Sequence, residues 1–269
     1  MLTKNIYILS IFSGILLGLS FPPIPLFPLA FIGLIPLLYS FEINSNKKIF
    51  SRTYLSFFLY CGITNWWIGS WQSNSDPFLM ASGIALSIVH PFFFLIPIYA
   101  YLFIKKRFGT NLAVWIFPFI WTAFEWFHSL GELSYPWLNL GYTQVYNYYF
   151  VQIADLAGVW GVSFVIAAVN SIIFNLLFKS NHPVISNKKY LISGYSAIII
   201  IFIFTYTYGI LRINELEEYN KNQDSMEIGI VQPAINPWNK WLNNAYDQVR
   251  LHVKLQDSLI KQNPKIDLI

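Results

Sequence analysis

The sequence predicts a polytopic α-helical membrane protein with seven transmembrane helices, followed by the first strand-helix-strand unit of an α/β domain. Hydrophobic residues make up 55% of the 269 residues and charged residues only 11%, whereas about a quarter of a soluble domain is charged. Seven segments are apolar enough to cross a bilayer, and a polar segment with a different periodicity follows the last of them. An ordinary soluble protein is therefore excluded.

Each predicted span is a stretch of roughly 17 residues or more without Lys, Arg or Asp, the length that crosses a hydrocarbon core of about 30 Å. The seven windows are residues 5–21, 24–41, 53–71, 78–104, 111–129, 158–178 and 190–210.

The first two spans are predicted to form a tight hairpin. Only Phe21-Pro22-Pro23 separates them, and two prolines end one helix because each fixes φ and lacks a backbone donor. Lys4 and the apolar stretch after it also have the pattern of a signal peptide, but a small-residue cleavage site before the prolines is missing. We therefore expect the first window to be a retained span.

The basic residues predict the orientation, because cytoplasmic loops carry an excess of Lys and Arg. With the N-terminus inside, the outside loops up to residue 210 contain no Lys or Arg. The inside set is Lys4, Lys47, Lys48, Arg52, Lys105, Lys106, Arg107, Lys179, Lys188 and Lys189. The N-terminus is thus expected to be cytoplasmic and residues after 210 extracytoplasmic. Because the net charge of +4 is distributed among membrane loops, no nucleic-acid partner is expected.

A soluble segment is predicted after the seven-span domain of residues 1–210. Residues 211–225 form a polar linker, and 226–269 form the start of the α/β domain. In that start, Met226–Val231 is predicted to be a strand, Trp238–Ile260 an amphipathic helix with apolar residues at three- and four-residue steps, and Ile266–Ile269 a second strand. About 45 residues cannot bury enough surface to fold alone, so the chain is expected to be truncated.

Carboxylate and histidine side chains are rare inside the predicted spans. Glu125 lies near the outer end of the fifth span, with His128 on the same helical face. Because intramembrane carboxylates are costly, it is a candidate functional acid, although a structural bond to the outer loop backbone is favoured. His90 and Cys61 are interpreted as packed residues. No motif in the sequence predicts a metal site or a cofactor.

Aromatic and amide side chains are concentrated in the outer loop between the fifth and sixth spans, at Ser134–Gln144. One interpretation is an aromatic belt, whose rings lie at headgroup level without a specific role. The other is a binding loop, in which Asn139 and Gln144 hydrogen-bond a polar headgroup or peptide. The residues alone leave both open.

Three stretches together resemble the bacterial apolipoprotein N-acyltransferases, which complete lipoprotein maturation. They are Phe21-Pro22-Pro23 through Pro28-Leu29-Ala30; Ile120–Trp126 with Tyr135–Gln144; and Ile230-Val231-Gln232-Pro233 with Lys240-Trp241. The resemblance implies an inner-membrane acyltransferase whose extracytoplasmic domain is a nitrilase-like carbon-nitrogen hydrolase fold. Its partners would be a phospholipid acyl donor and a diacylated lipoprotein acceptor.

The resemblance also implies site residues. The family transfers its acyl chain through a Cys thioester in a Glu-Lys-Cys triad, which would lie beyond Ile269. No catalytic residue is therefore predicted here, and the chain alone is expected to be inactive. Trp241 resembles a family residue near the substrate entrance, and Trp137, Asn139, Tyr142 and Gln144 would line the same outer side.

Two other functions remain open. A non-enzymatic membrane protein could retain the seven-span body to bind lipid or lipoprotein. A small transporter is disfavoured, because the sequence has neither paired intramembrane charges nor a detectable internal repeat.

Overall fold

A computed structural model describes residues 6–43, 48–69, 76–180, 188–221, 223–235 and 244–269. These residues are mostly helical. The α-helices within them are α1 (Ile6–Leu19), α2 (Ile35–Ile43), α3 (Ile49–Thr64), α4 (Pro77–Val89), α5 (Leu95–Phe108), α6 (Thr110–His128), α7 (Ala154–Ser180), α8 (Lys188–Lys221) and α9 (Ala245–Gln262).

Three helical segments of the described chain are long and apolar enough to cross a membrane. They are Pro77–Phe108, Phe150–Leu177 and Leu191–Lys221, and Tyr7–Leu19 and Phe27–Ile43 are shorter apolar helices. The prediction of a mainly helical protein with membrane-spanning helices is thus confirmed at this level. The count of seven spans stays a prediction.

Two of the predicted spans are interrupted by a 3-10 helix that begins near a proline, and the window at 53–71 contains a third 3-10 helix, Trp66–Gly69, after the end of α3. The window at 24–41 consists of a short 3-10 helix, Phe27–Phe31, and then α2, while the window at 78–104 consists of α4 and α5 joined by the 3-10 helix His90–Phe92. Both 3-10 helices have a proline near their start, where its missing N–H costs no helical hydrogen bond. Apolar composition alone does not reveal such breaks.

Asn170 on α7 satisfies the backbone at the first of these breaks. Its side chain is fully buried, its Nδ2 donates to the carbonyl of Ala30 at 2.8 Å, and its Oδ1 accepts from the N–H of Leu34 at 3.0 Å. In hydrocarbon, an unsatisfied backbone group costs several kcal/mol. The amide therefore satisfies the backbone of a non-helical turn within the buried apolar core.

The helices pack closely in the first part of the chain. Helix α1 contacts α3 and α2, and α6 contacts both α5 and α7. Gly14 permits the approach of α1 to α3, because a Cβ there would overlap the carbonyl oxygen of Ser56. The core contains many rings, among them Phe57 and Phe94, which stack with centroids 4.4 Å apart.

The chain divides into two compact units, residues 1–214 and 215–269. Helix α8 continues beyond the predicted end of the seventh span at 210 to Lys221. The added residues include three Glu, two Leu, one Arg and one Lys and contain neither Gly nor Pro, so they favour a helix although many are polar.

The predicted strand-helix-strand unit is not confirmed. The described part of residues 226–269 contains no regular strand, but a single parallel bridge joins Ile228 to Leu268, with the N–H of Gly229 donating to the Leu268 carbonyl at 2.8 Å. Helix α9 lies between these partners in the chain and begins at Ala245, later than predicted. Ile228 and Ile230 are 59% and 85% exposed, so packing within the described residues does not cover the face of this segment that carries them.

Candidate functional site

The candidate site is the loop of residues 134–147, called loop 134–147 below, which follows α6. It is folded into two 3-10 helices, Pro136–Leu138 and Leu140–Gln144. Leu138 and Leu140 are 3% and 0% exposed. Their apolar side chains therefore fix the loop on the helices beneath it.

Glu125 joins α6 to this loop. The side chain is 2% exposed, and its Oε1 accepts one hydrogen bond from Trp121 Nε1 at 2.7 Å and another from the backbone N–H of Leu140 at 2.8 Å. Trp121 lies one helical turn before Glu125, so both side chains share one face of α6. These contacts are the kind that a structural role for the carboxylate requires.

Two other helices hold the neighbouring loop backbone. Tyr60 on α3 donates its hydroxyl hydrogen to the carbonyl of Leu138 at 2.7 Å. Ser163 Oγ on α7 accepts from the N–H of Gly141 at 2.8 Å. A Cβ at Gly141 would lie 2.5 Å from the carbonyl oxygen of Val159. Only glycine therefore lets the loop approach α7 this closely.

The second half of the loop is held through its amides. Gln144 is fully buried, and its Nε2 donates to the carbonyl of Phe27 at 3.2 Å. Its Oε1 accepts from Asn147 Nδ2 at 3.1 Å, and Asn147 Oδ1 accepts from the hydroxyl of Tyr206 on α8 at 2.9 Å. The first hairpin and α8 thus fix the same loop as α3, α6 and α7.

The predicted substrate-binding residues lie in different environments. Trp137 and Tyr142 are 63% and 42% exposed, whereas Asn139 and Gln144 are buried. Asn139 Nδ2 has no hydrogen-bond partner among the described residues. Trp241 lies outside the described residues. The loop therefore combines exposed rings with a buried amide donor that the described residues leave without a hydrogen-bond partner.

A buried polar cluster lies beside the start of the loop. The ring of His90 contacts the rings of His128 and Tyr135, with centroids 4.9 and 4.8 Å away. The Tyr135 hydroxyl donates to Asn65 Oδ1 at 3.0 Å. Burial raises the pKa of Tyr135 to about 12, so the phenol stays protonated and keeps this hydrogen bond at neutral pH.

No catalytic centre is evident in the described residues. Within them, no group of three His, Cys, Asp or Glu side chains could hold a metal ion. Cys61 is fully buried among the core side chains, which keeps a thiol away from substrates and from a base.

Sequence reasoning missed several residues that shape this site. Tyr60, Ser163 and Asn170 are separated from their partners by 78, 22 and 136 to 140 residues. A polar residue within an apolar helix is a signal that could have identified Asn170, because such residues face protein partners. Ser163, in the same apolar helix, gives this signal as well, whereas Tyr60 gives none in an aromatic-rich sequence.

Comparison with known proteins identifies one family. Residues 13–172 match the family described as the apolipoprotein N-acyltransferase N-terminal domain. Similar proteins named apolipoprotein N-acyltransferase come from Chlorobaculum tepidum, 32% identical over 87% of this chain and 42% of the relative, and from Geobacter metallireducens, 28% identical over 87% and 44%. A third, from Borreliella burgdorferi, is 24% identical over 98% and 49%. The chain thus spans about half the length of these curated relatives or less.

Proposed function

Because the chain belongs to the apolipoprotein N-acyltransferase family, we propose that it acts in lipoprotein maturation at a bacterial inner membrane and binds the lipid substrates of acyl transfer. In this proposal the seven apolar windows all cross the membrane. The N-terminus is cytoplasmic, and loop 134–147 and the residues after 210 face outward.

The proposed reaction has two steps. A thiolate attacks an ester carbonyl of a phospholipid, which forms a thioester and releases a lysophospholipid. The α-amino group of a diacylglyceryl-cysteine then attacks the thioester, which forms an amide and releases the thiolate. Cys61, the single cysteine of this chain, is buried, so we propose that it is not the nucleophile. The proposed role of loop 134–147 is to bind and orient the substrates.

One observation carries this proposal: loop 134–147 is held rigidly while two of its rings remain exposed. An aromatic belt needs rings at headgroup level, but it needs neither the Glu125 bridge nor the buried amides of Gln144 and Asn147. A fixed loop that presents apolar rings, with an unpartnered donor buried beneath them, has the features of a ligand site.

Each loop residue has a role in the proposal. Trp137 and Tyr142 contact acyl chains, and Asn139 Nδ2 donates to an ester carbonyl or headgroup oxygen. Gln144 and Glu125 hold the loop in place. Trp241, carried over from the family resemblance, provides a further substrate contact.

The test is binding of a fluorescent diacylated lipopeptide to the whole 269-residue chain in nanodiscs. Trp137→Ala should weaken binding by about 1 to 3 kcal/mol, the range for loss of an aromatic anchor. Trp67→Ala is the matched control, since Trp67 is 53% exposed, is also a tryptophan, and lies outside the loop. Equal and small losses in both variants would favour the aromatic belt and contradict the proposal.

A further inference from the structure

A pocket lies at the opposite end of α6 from loop 134–147. It has a volume of about 520 Å³ and is lined by the start of α3, the last turns of α5 and the start of α6. Since α6 has 19 residues, the two sites are separated by about 27 Å along the helix. This pocket is therefore distinct from the proposed substrate site.

The pocket wall contains a fixed, neutralised lysine. Lys105 Nζ lies 2.6 Å from Glu42 Oε1 and donates to the carbonyl of Phe41 at 2.9 Å. The Lys105 and Glu42 side chains are only 14% and 9% exposed. The pair ties α5 to α2 and fixes this side of the pocket, but its charges cancel.

Two other features contribute positive potential at the pocket, and the Glu42 carboxylate partly offsets one of them. Lys106 lines it, and its side chain is exposed. Helix α6 begins at Thr110 after Gly109, which has φ 91° and also lines the pocket, and Gly109 provides no side-chain cap. The Thr110 hydroxyl donates to Glu42 Oε2 at 3.5 Å, so the carboxylate that pairs with Lys105 also lies beside this helix start. The first N–H groups of a helix and its dipole attract anions. Lysine and helix start thus favour a phosphate at the same place.

The remaining wall is apolar and runs away from the charged end. Tyr99, Leu102 and Phe103 line the pocket, and with Lys106 they lie at three- and four-residue steps on one face of α5. Tyr99 and Phe103 are 45% and 69% exposed. Seven residues of helix separate Tyr99 from Lys106, which places the ring about 10 Å deeper along the axis. The surface is charged at one end and apolar along its length, as a phospholipid is.

We propose that this pocket binds an anionic phospholipid. Its phosphate lies between Lys106 and the start of α6, and an acyl chain lies along Tyr99, Leu102 and Phe103. Charge complementarity selects an anionic lipid over a zwitterionic one, because Lys105 is already paired with Glu42 while Lys106 is not part of that pair. The apolar stripe selects a lipid over free phosphate. In the proposed orientation this lipid belongs to the cytoplasmic leaflet, away from the acyl-transfer substrates.

The test is native mass spectrometry of the whole purified chain with equimolar phosphatidylglycerol and phosphatidylcholine. We expect the chain to retain phosphatidylglycerol preferentially. Lys106→Gln should weaken its retention about fivefold, the effect of one basic side chain near a lipid phosphate, and should leave phosphatidylcholine unchanged. The matched control is Lys189→Gln, because Lys189 is also exposed and lies on the same predicted side of the membrane.

Two further measurements distinguish a lipid site from a simple anion site. Phe103→Ala should reduce phosphatidylglycerol retention at unchanged Tm, and excess inorganic phosphate should not displace the lipid. Complete displacement by phosphate would mean a simple anion site and would overturn the proposal. Equal retention of the two lipids, or equal losses in Lys106→Gln and Lys189→Gln, would overturn it as well.

Discussion

Glu125 Oε1 accepts a hydrogen bond from the backbone N–H of Leu140 at 2.8 Å, so a carboxylate on α6 determines the path of a loop 15 residues away. The same oxygen accepts from Trp121 Nε1. One buried acid therefore satisfies two donors at once. The exposed rings of Trp137 and Tyr142 are held in place through such contacts. Substitutions that remove these contacts one at a time test how the loop is held.

Replacing Glu125 by Ala should destabilise the protein. The substitution leaves the Trp121 indole N–H and the Leu140 amide N–H buried without an acceptor, at a cost of about 1 to 3 kcal/mol for each group. Glu125→Gln keeps an oxygen at the same reach and should recover most of that loss. Thermal unfolding in detergent measures the difference.

The matched control for this prediction is Glu132→Ala, because Glu132 is exposed in the same connection. It should leave Tm unchanged. A Glu125→Ala variant as stable as Glu132→Ala would mean that the carboxylate does not hold the loop.

Gly141→Ala should loosen loop 134–147. The new Cβ would lie 2.5 Å from the Val159 carbonyl oxygen, so the loop must move away from α7 and lose its hydrogen bond to Ser163. We expect faster proteolysis within the loop and weaker lipopeptide binding. Gly62→Ala is the control, since nothing lies within 4 Å of its Cβ position and alanine favours a helix. Similar cleavage rates for both variants would contradict the close approach.

The sequence predicted the helical membrane body because hydropathy and span length report transfer into lipid. It also suggested the structural role of Glu125, since an acid at membrane depth needs a partner. The breaks at Phe27–Phe31 and His90–Phe92 were missed, because a helix break that is satisfied by a distant side chain such as Asn170 leaves the local composition apolar. The extension of α8 was missed because hydropathy indicates where an apolar segment ends, whereas this helix continues into polar residues.

Asn170→Leu should be among the most destabilising substitutions in α7. It removes both the donor to the Ala30 carbonyl and the acceptor for the Leu34 N–H, which leaves backbone groups unsatisfied at membrane depth. A loss of about 1 to 3 kcal/mol for each unsatisfied group is expected. Asn175→Leu serves as the control on the same helix, because Asn175 is also buried but its Nδ2 has no partner within the described chain. Chemical unfolding in mixed micelles should separate the two, and equal losses would contradict a specific role for Asn170.

Cys61 should resist alkylation in the folded protein. Its side chain is fully buried, and reactive thiols are exposed and close to positive charge. Maleimide labelling followed by mass spectrometry should give little adduct before unfolding and complete labelling after it. Cys61→Ala should bind lipopeptide like the parent chain. Rapid native labelling, or loss of binding on this substitution, would contradict the assignment of Cys61 as a core residue.

The orientation of α8 gives the last prediction. Its 34 residues are about 50 Å long, whereas the hydrocarbon core is about 30 Å thick, so part of the helix must project from the membrane. The projecting part should be the polar end near Lys221, since Arg212, Glu217 and Glu218 are costly in lipid.

With basic loops inside, alkaline phosphatase fused after Lys221 should be active outside the cytoplasm, and green fluorescent protein fused after Lys106 should fluoresce inside. A fusion after Lys48 is the control for the cytoplasmic side. An active alkaline phosphatase fusion after Lys106, in place of the fluorescent one, would reverse the orientation of α5 and reject the seven-span topology.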